Sequence, residues 1–177
     1  MALFLPTAAA DRVIDISLDL LLTVGAEAVL LDVDNTLAMH GSQIPFEGSV
    51  EWSRRIRKSG MKMMVLSNNT EKRIEPFAAL YGLPFLSLCM KPLPFAYLRA
   101  AKKLGIKRKN VVIVGDQIFT DVIGANLCGM KSILLMPVSK ERSLSFRIRR
   151  SLERPIRKTL EKKGLTAENI CRVQNKE

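Results

Sequence analysis

A chain of 177 residues with 47% apolar content is long enough to bury one sizeable core, and its composition excludes a disordered chain. Its formal net charge is +11, from 28 basic and 17 acidic residues. Residues 138–177 carry 12 basic against 5 acidic groups, so a near-balanced body ends in a basic tail suited to an anionic partner. Cys89, Cys128 and Cys171 show no metal-ligand or redox spacing and read as buried small hydrophobes in a reducing compartment. His40 is the single histidine and reads as a loop residue.

The first ten residues resemble an export signal only superficially, lacking a basic start and interrupted by Pro6. No uncharged apolar run is long enough to span a bilayer, so the expected location is the cytoplasm. Residues 11–22 read as short amphipathic helical pieces that pack on the domain or touch lipid, and residues 1–24 are set apart as an N-terminal segment. The aliphatic run Ala28–Val33 is a strand buried on both faces, and it ends in Asp32-Val33-Asp34-Asn35-Thr36. A helix from Glu47 to Ser59 is closed by Gly60, and Met61–Leu66 is a second strand ending at Ser67-Asn68-Asn69-Thr70. Thr70 caps a helix over 71–80, Pro84–Leu88 is a third strand, and Lys91-Pro92 opens a helix running to Leu104-Gly105. Val111–Val114 is a strand followed by Gly115-Asp116, then a helix over 118–128 and a last strand, Ser132–Met136. Alternating strands and helices give an α/β domain with a mostly parallel sheet.

In an open parallel sheet, ligands bind beyond the carboxyl ends of the strands. Asp32, Asp34 and Thr36, Ser67 and Asn68, Lys91, and Asp116 and Asp121 all follow a strand or open the helix beyond it. Four segments therefore bring carboxylates, hydroxyls and an ammonium to one crevice. Paired buried carboxylates repel, and an oxygen-only donor set favours Mg²⁺ as the ion that reconciles them. Such a group suits attack on a phosphate monoester, which needs a nucleophile, a proton donor and cationic cover. Asp32 can attack phosphorus, and Asp34 can protonate the leaving oxygen and later deprotonate water. Asp116 adds a metal ligand, Ser67 and Thr36 can donate to the phosphoryl oxygens, and Lys91 can neutralise them.

These stretches, with Gly115-Asp116-Gln117-Ile118-Phe119-Thr120-Asp121, resemble motifs one to four of the haloacid dehalogenase (HAD) superfamily in their proper order over residues 25–137. The resemblance implies a Rossmann-like fold, an aspartyl-phosphate intermediate and Mg²⁺. It assigns Asp32 as nucleophile and Asp34 as acid/base with a backbone carbonyl on the metal. Ser67, Asn68 and Lys91 then hold the phosphoryl group, Asp116 binds metal and Asp121 orders metal-bound water. Gln117 and Asn126 are lesser candidates around the site. The 31 positions from Thr36 to Ser67 and the 24 from Ser67 to Lys91 are filled by the elements above, leaving no room for a large cap. Within the superfamily the chain is similar to subfamily IIIA, the group holding YqeG-type proteins and phosphatidylglycerophosphate phosphatases. That implies a phosphorylated lipid substrate at a membrane surface.

The tail is expected to form a helix over 139–163. Leu144, Ile148, Leu152, Ile156 and Leu160 make one stripe, with Pro155 inside it and arginines and lysines beside it. It either packs on the core or lies on an anionic phospholipid surface at the inner face of the membrane. Two other functions remain open. One is the same chemistry on a polynucleotide end, sugar phosphate or nucleotide, against which stands the low aromatic content of 6%. The other is a basic nucleic-acid or membrane binding module with a vestigial site.

Overall fold

The computed structural model describes residues 3–136 and, beyond them, Glu153, Pro155, Ile156 and Thr159. Six parallel strands form one sheet: β1 (Ala8–Ala10), β2 (Ala28–Leu31), β3 (Lys62–Leu66), β4 (Phe85–Leu86), β5 (Val111–Gly115) and β6 (Lys131–Leu135). Their order is β1-β6-β5-β2-β3-β4. The chain builds from β2 outward through β3 and β4, then returns to β5 on the other side of β2. That reversal places the crevice of an open α/β sheet at the end of β2.

Apolar residues on both sides of each central strand explain why the sheet is covered on both faces. Val29 and Leu31 of β2 pack with Met63, Val65, Val112 and Val114 against Trp52 of the Ser49–Lys58 helix and Phe77 and Tyr81 of the Glu71–Tyr81 helix. Ala28 and Leu30 face the opposite way, with Met64 and Ile113, toward Tyr97, Ala100 and Ala101 of the Pro94–Leu104 helix. Glycines past the helix ends, Gly60, Gly82 and Gly105, take left-handed φ values of 91°, 61° and 67° and let the chain turn back. Thr70 stands at the N-cap of the Glu71–Tyr81 helix, but its side chain makes no capping bond.

The largest departure from the sequence reading is at the N-terminus. The described part of the 1–24 stretch, residues 3–24, is not a separate segment: Ala8–Ala10 is the edge strand of the same sheet, in register with Ile133–Leu135. Ile16, Leu20 and Leu21 are fully buried, the last two on a short helix, Leu18–Thr23. Three alanines carry little strand propensity, so only their pairing with β6 identifies them. The third strand shrinks to Phe85–Leu86, and the 91–105 helix starts later, with Pro94 at its first turn. The helix read over 118–128 is a π-helical turn, Ile118–Val122, followed by a short α-helix, Ile123–Leu127. π-turns recur at functional sites, and this one carries Asp121.

Cys89 and Cys128 are free and buried, while Cys171 lies outside the described residues. So do most of the expected tail helix and its basic flank. Its described residues touch the core: Ile156 packs beside Leu5, Ile118, Val122 and Leu134, and the buried Glu153 carboxylate accepts from the Ile118 N–H at 2.8 Å. No helix among the described residues is long and apolar enough to cross a membrane.

Candidate active site

The strand β2 ends at Leu31, two residues before the sequence predicts, yet the Asp32 N–H still donates to Val114 at 3.0 Å. The chain then folds back on itself. Leu37 and Ala38 both donate to the Val33 carbonyl, and Asn35 takes a φ of 56°, a conformation asparagine tolerates. Beyond β3, the segment preceding the 94–104 helix is tied down by the Cys89 N–H donating to Ser67 at 3.1 Å. Asn68 strengthens this tie: its Oδ1 accepts from the Lys91 N–H at 2.7 Å and its Nδ2 donates to the Lys91 carbonyl at 3.3 Å. The sequence reading placed Asn68 on the substrate phosphate. Its amide is committed to the Lys91 backbone instead, so Asn68 acts by positioning Lys91.

Lys91 Nζ sits 2.8 Å from Asp32 Oδ1 and 2.7 Å from Asp121 Oδ1, with the side chains of all three buried. Asp32, Asp116 and Asp121 each offer a carboxylate oxygen, and those oxygens lie within 4.8 Å of one another. Three segments of the chain, those after β2, before the 94–104 helix and after β5, therefore meet at one point. Burial pushes the Asp32 carboxyl up to about 6, and Lys91 works against that rise. Burial likewise raises Asp121, with Lys91 opposing. For Lys91 itself burial works downward, but Asp121 and Asp32 outweigh it and hold the ammonium well above its ordinary range. Three carboxylates against one ammonium leave two negative charges in a buried space. A divalent cation with oxygen ligands is the group this donor set fits.

Asp34 stands apart from that cluster. Its carboxylate accepts from Arg73 Nη2 and Asn69 Nδ2, each at 2.6 Å, and from the Gly41 N–H at 3.1 Å. His40 Nδ1 lies 3.5 Å away, which gives this loop histidine a place at the site's rim. Among the expected metal residues, Asp34 thus contributes no side-chain oxygen to the acidic cluster. Ser67 is buried at the end of β3, and its Oγ accepts from the Asn69 N–H at 3.2 Å. The Thr36 hydroxyl is buried with no hydrogen-bond partner among the described residues. The Gln117 N–H donates to Asp121 at 3.3 Å, beside the site as expected. Asn126 is not there: its Nδ2 donates to the Leu3 and Leu5 carbonyls and anchors the N-terminal segment.

Four contributors have no role in the sequence reading, although Asn69 and Gly115 lie within its motifs. Arg73 and Asn69 hold Asp34, and Glu153 caps the turn that carries Asp121. A Cβ on Gly115 would overlap the Asp121 carboxylate, so glycine is needed there for that side chain to reach Lys91. Arg73 also had a readable signal. A cation in the first turn of a helix opposes the macrodipole, so a compensating role nearby is expected.

The placement of these groups at the switch point of a parallel sheet defines a phosphatase of the α/β class. The model of the haloacid dehalogenase-like hydrolase family matches residues 12–129, and the chain belongs to that family. It is 32% identical over 161 residues to "Probable phosphatase YqeG" of Bacillus subtilis (strain 168), covering 91% of this chain and 94% of that protein. Among solved structures, NagD from Escherichia coli K-12 superposes with a TM-score of 0.54 at 14% identity, over 66% of this chain and 90% of that one. The cobalt-bound deoxy-D-mannose-octulosonate 8-phosphate phosphatase of Haemophilus influenzae gives 0.51 at 16% identity, over 63% and 68%. At such identities these likenesses establish the fold alone.

Proposed function

We propose that the protein removes the terminal phosphate from phosphatidylglycerophosphate at a membrane surface, in a Mg²⁺-dependent reaction. The observation that carries this reading is the missing cap: among the described residues, the connections from β2 to β3 and from β3 to β4 hold one helix each and no inserted domain. An open site gives up water exclusion but admits a bulky head group still embedded in a bilayer. The likeness to subfamily IIIA motifs supports the lipid substrate.

The chemistry follows from the residues. Asp32 attacks phosphorus in line, the P–O bond to the glycerol oxygen breaks, and the leaving oxygen takes its proton from Asp34. Asp34 then removes a proton from water, which attacks the aspartyl phosphate and regenerates Asp32. Arg73 and Asn69 fix the rotamer of Asp34 through both steps. Ser67 and Thr36 donate to the phosphoryl oxygens, and Lys91 supplies positive charge to them while holding Asp32. Asp32, Asp116, Asp121 and the Asp34 backbone would hold the Mg²⁺, which adds charge where the transferring oxygens gather it.

The test is phosphate release from phosphatidylglycerophosphate, an aryl phosphate and a 5′-phosphorylated oligonucleotide, each with Mg²⁺ and with chelator. The reading expects strong preference for the lipid and loss of turnover on chelation. Equal or faster turnover of the oligonucleotide would replace the lipid with a polynucleotide end. No turnover of any of them would leave a binding module.

A further inference from the structure

The segment that delivers Lys91 is unusual in what it shows to solvent. Leu88 is 61% exposed, Met90 64% and Phe95 73%, and Leu93 and Leu98 are also exposed. Leu88 and Met90 hold left-handed backbone, with φ of 48° and 49°, which large L-residues seldom adopt. Their backbone is not loose. The Leu88 N–H donates to Asn69, the Cys89 N–H to Ser67 and the Leu93 N–H to Met90. Two large apolar side chains are thus displayed beside the catalytic lysine against both their solvation and their backbone preference. Ile44, 78% exposed, belongs to the loop after β2, whose Gln43 donates to the Arg73 carbonyl. The apolar display therefore spans two of the loops around the crevice.

Charge completes the pattern. Between Glu75 and Asp116 the sequence has no acidic residue and seven basic ones. Phe95, Leu98, Arg99 and Lys102 recur at helical spacing on the exposed face of the 94–104 helix, apolar near the crevice and basic farther along. A long basic side chain behind an apolar wedge is the arrangement that lets a helix end enter a bilayer interface while its cations reach the head groups. A soluble partner protein of opposite charge would have no need for so many bare apolar tips around an open crevice.

We propose that the 88–95 loop, with the start of the helix it leads into, is the membrane-docking surface, and that its occupant is an anionic phospholipid bilayer. Leu88, Met90 and Phe95 enter the interface, Arg99 pairs with head groups, and the crevice beside Lys91 faces the bilayer. This rests on the lipid reading of the site and adds which face meets the lipid, independently of the basic tail.

The test uses the full chain and its Met90→Ser, Phe95→Ser and Phe95→Asp variants, with vesicles of phosphatidylcholine alone or mixed with phosphatidylglycerol. Binding to the mixed vesicles should fall on the order of tenfold or more in each variant. Salt should weaken binding by the parent without abolishing it. Turnover of an aryl phosphate and of detergent-dispersed phosphatidylglycerophosphate should stay at the parent's level, while turnover of the vesicle-borne lipid falls. A Phe95→Trp variant provides a direct readout, since the single native tryptophan, Trp52, is buried. Its emission should shift to the blue and be quenched by brominated lipid. Unchanged vesicle binding in all three variants, or no quenching at position 95, overturns the proposal. So does a dimer that Phe95→Ser dissolves while vesicle binding persists, which would assign the face to a second copy. A parent that hydrolyses dispersed lipid but binds no vesicle overturns the surface and spares the substrate. A parent that docks through the loop yet hydrolyses no lipid retains the surface and removes the substrate.

Discussion

Replacing Lys91 with methionine keeps most of the side-chain volume and deletes only the charge. The ammonium it removes lies 2.8 Å from Asp32 and 2.7 Å from Asp121, and Asp116 is within the same group of carboxylates. At charge separations of about 4 Å and an effective dielectric of about 20, each lost attraction is worth about 4 kcal/mol gross. Proton uptake by the carboxylates relieves part of that, and breaking a buried pair by removing one partner costs about 3–5 kcal/mol net. Against a usual total of about 5–15 kcal/mol, the variant should fold but melt much earlier. Divalent cation has the opposite response. With the competing ammonium gone, the three carboxylates should bind Mg²⁺ at least as tightly as before, so added Mg²⁺ should restore more stability to the variant than it gives the parent. Turnover should nevertheless drop by a factor of about 10²–10³, because a group aimed at the phosphoryl oxygens is lost. Chemical denaturation with chelator and with Mg²⁺, calorimetric metal titration and kcat measure the three effects. A variant as stable as the parent in chelator would refute the argument that Lys91 neutralises these carboxylates.

Asp32→Asn should abolish turnover with the fold retained, since the nucleophile is lost while a similar shape remains; residual phosphate release would remove Asp32 from that role. Burial holds folded Asp32 protonated up to about 6, whereas the unfolded chain loses that proton near 3.8. The folded state therefore binds the extra proton, and metal-free stability should fall as pH rises through this window. Asp32→Asn should reduce that slope, leaving the contribution of Asp121, and saturating Mg²⁺ should reduce it further, in denaturation curves taken at each pH. Gly115→Ala drives a methyl into the Asp121 carboxylate, so Mg²⁺ affinity should fall about tenfold and stability by about 1–3 kcal/mol, read by titration and melting. Arg73→Ala releases one of the 2.6 Å restraints on Asp34 and should lower kcat by about 10–100-fold with little change in melting temperature. Glu153→Ala leaves the buried Ile118 N–H without its acceptor, so stability should fall by about 1–3 kcal/mol in denaturant.

What the sequence discloses and what it withholds divides along one physical line. Buried parallel strands need aliphatic runs, and a chain that must leave the sheet and bind an ion needs short polar residues immediately after them, so Asp32, Ser67 and Asp116 are visible from pattern alone. The α/β class and the succession of β2 to β6 along the chain follow from the same runs, while their order across the sheet does not. Residues that act through a partner distant in sequence carry no local pattern. Ala8–Ala10 is a strand only because Ile133–Leu135 lies beside it, and Asn126 serves the N-terminal segment because Leu3 and Leu5 pass within reach. Asn68 shows the subtler failure. Its place after β3 is where a phosphate ligand belongs, but each end of its side-chain amide is turned to the Lys91 backbone 23 residues away, one hydrogen bond apiece.

Glu153 and Ile156 sit on the turn that holds Asp121, so part of the tail is bound to the catalytic body and its carboxylate is committed to a backbone amide. A segment anchored there cannot move onto a bilayer as a whole without giving up a buried acceptor beneath the site. Lipid contact by the tail's basic flank, if it occurs with Glu153 in place, must therefore be made by a face that leaves Ile156 against Ile118. Glu153→Ala separates the two roles: weaker stability with unchanged vesicle binding would make the tail a brace for the fourth motif. Lost vesicle binding alongside intact aryl phosphate turnover would make that anchorage the frame that presents its cations to the lipid.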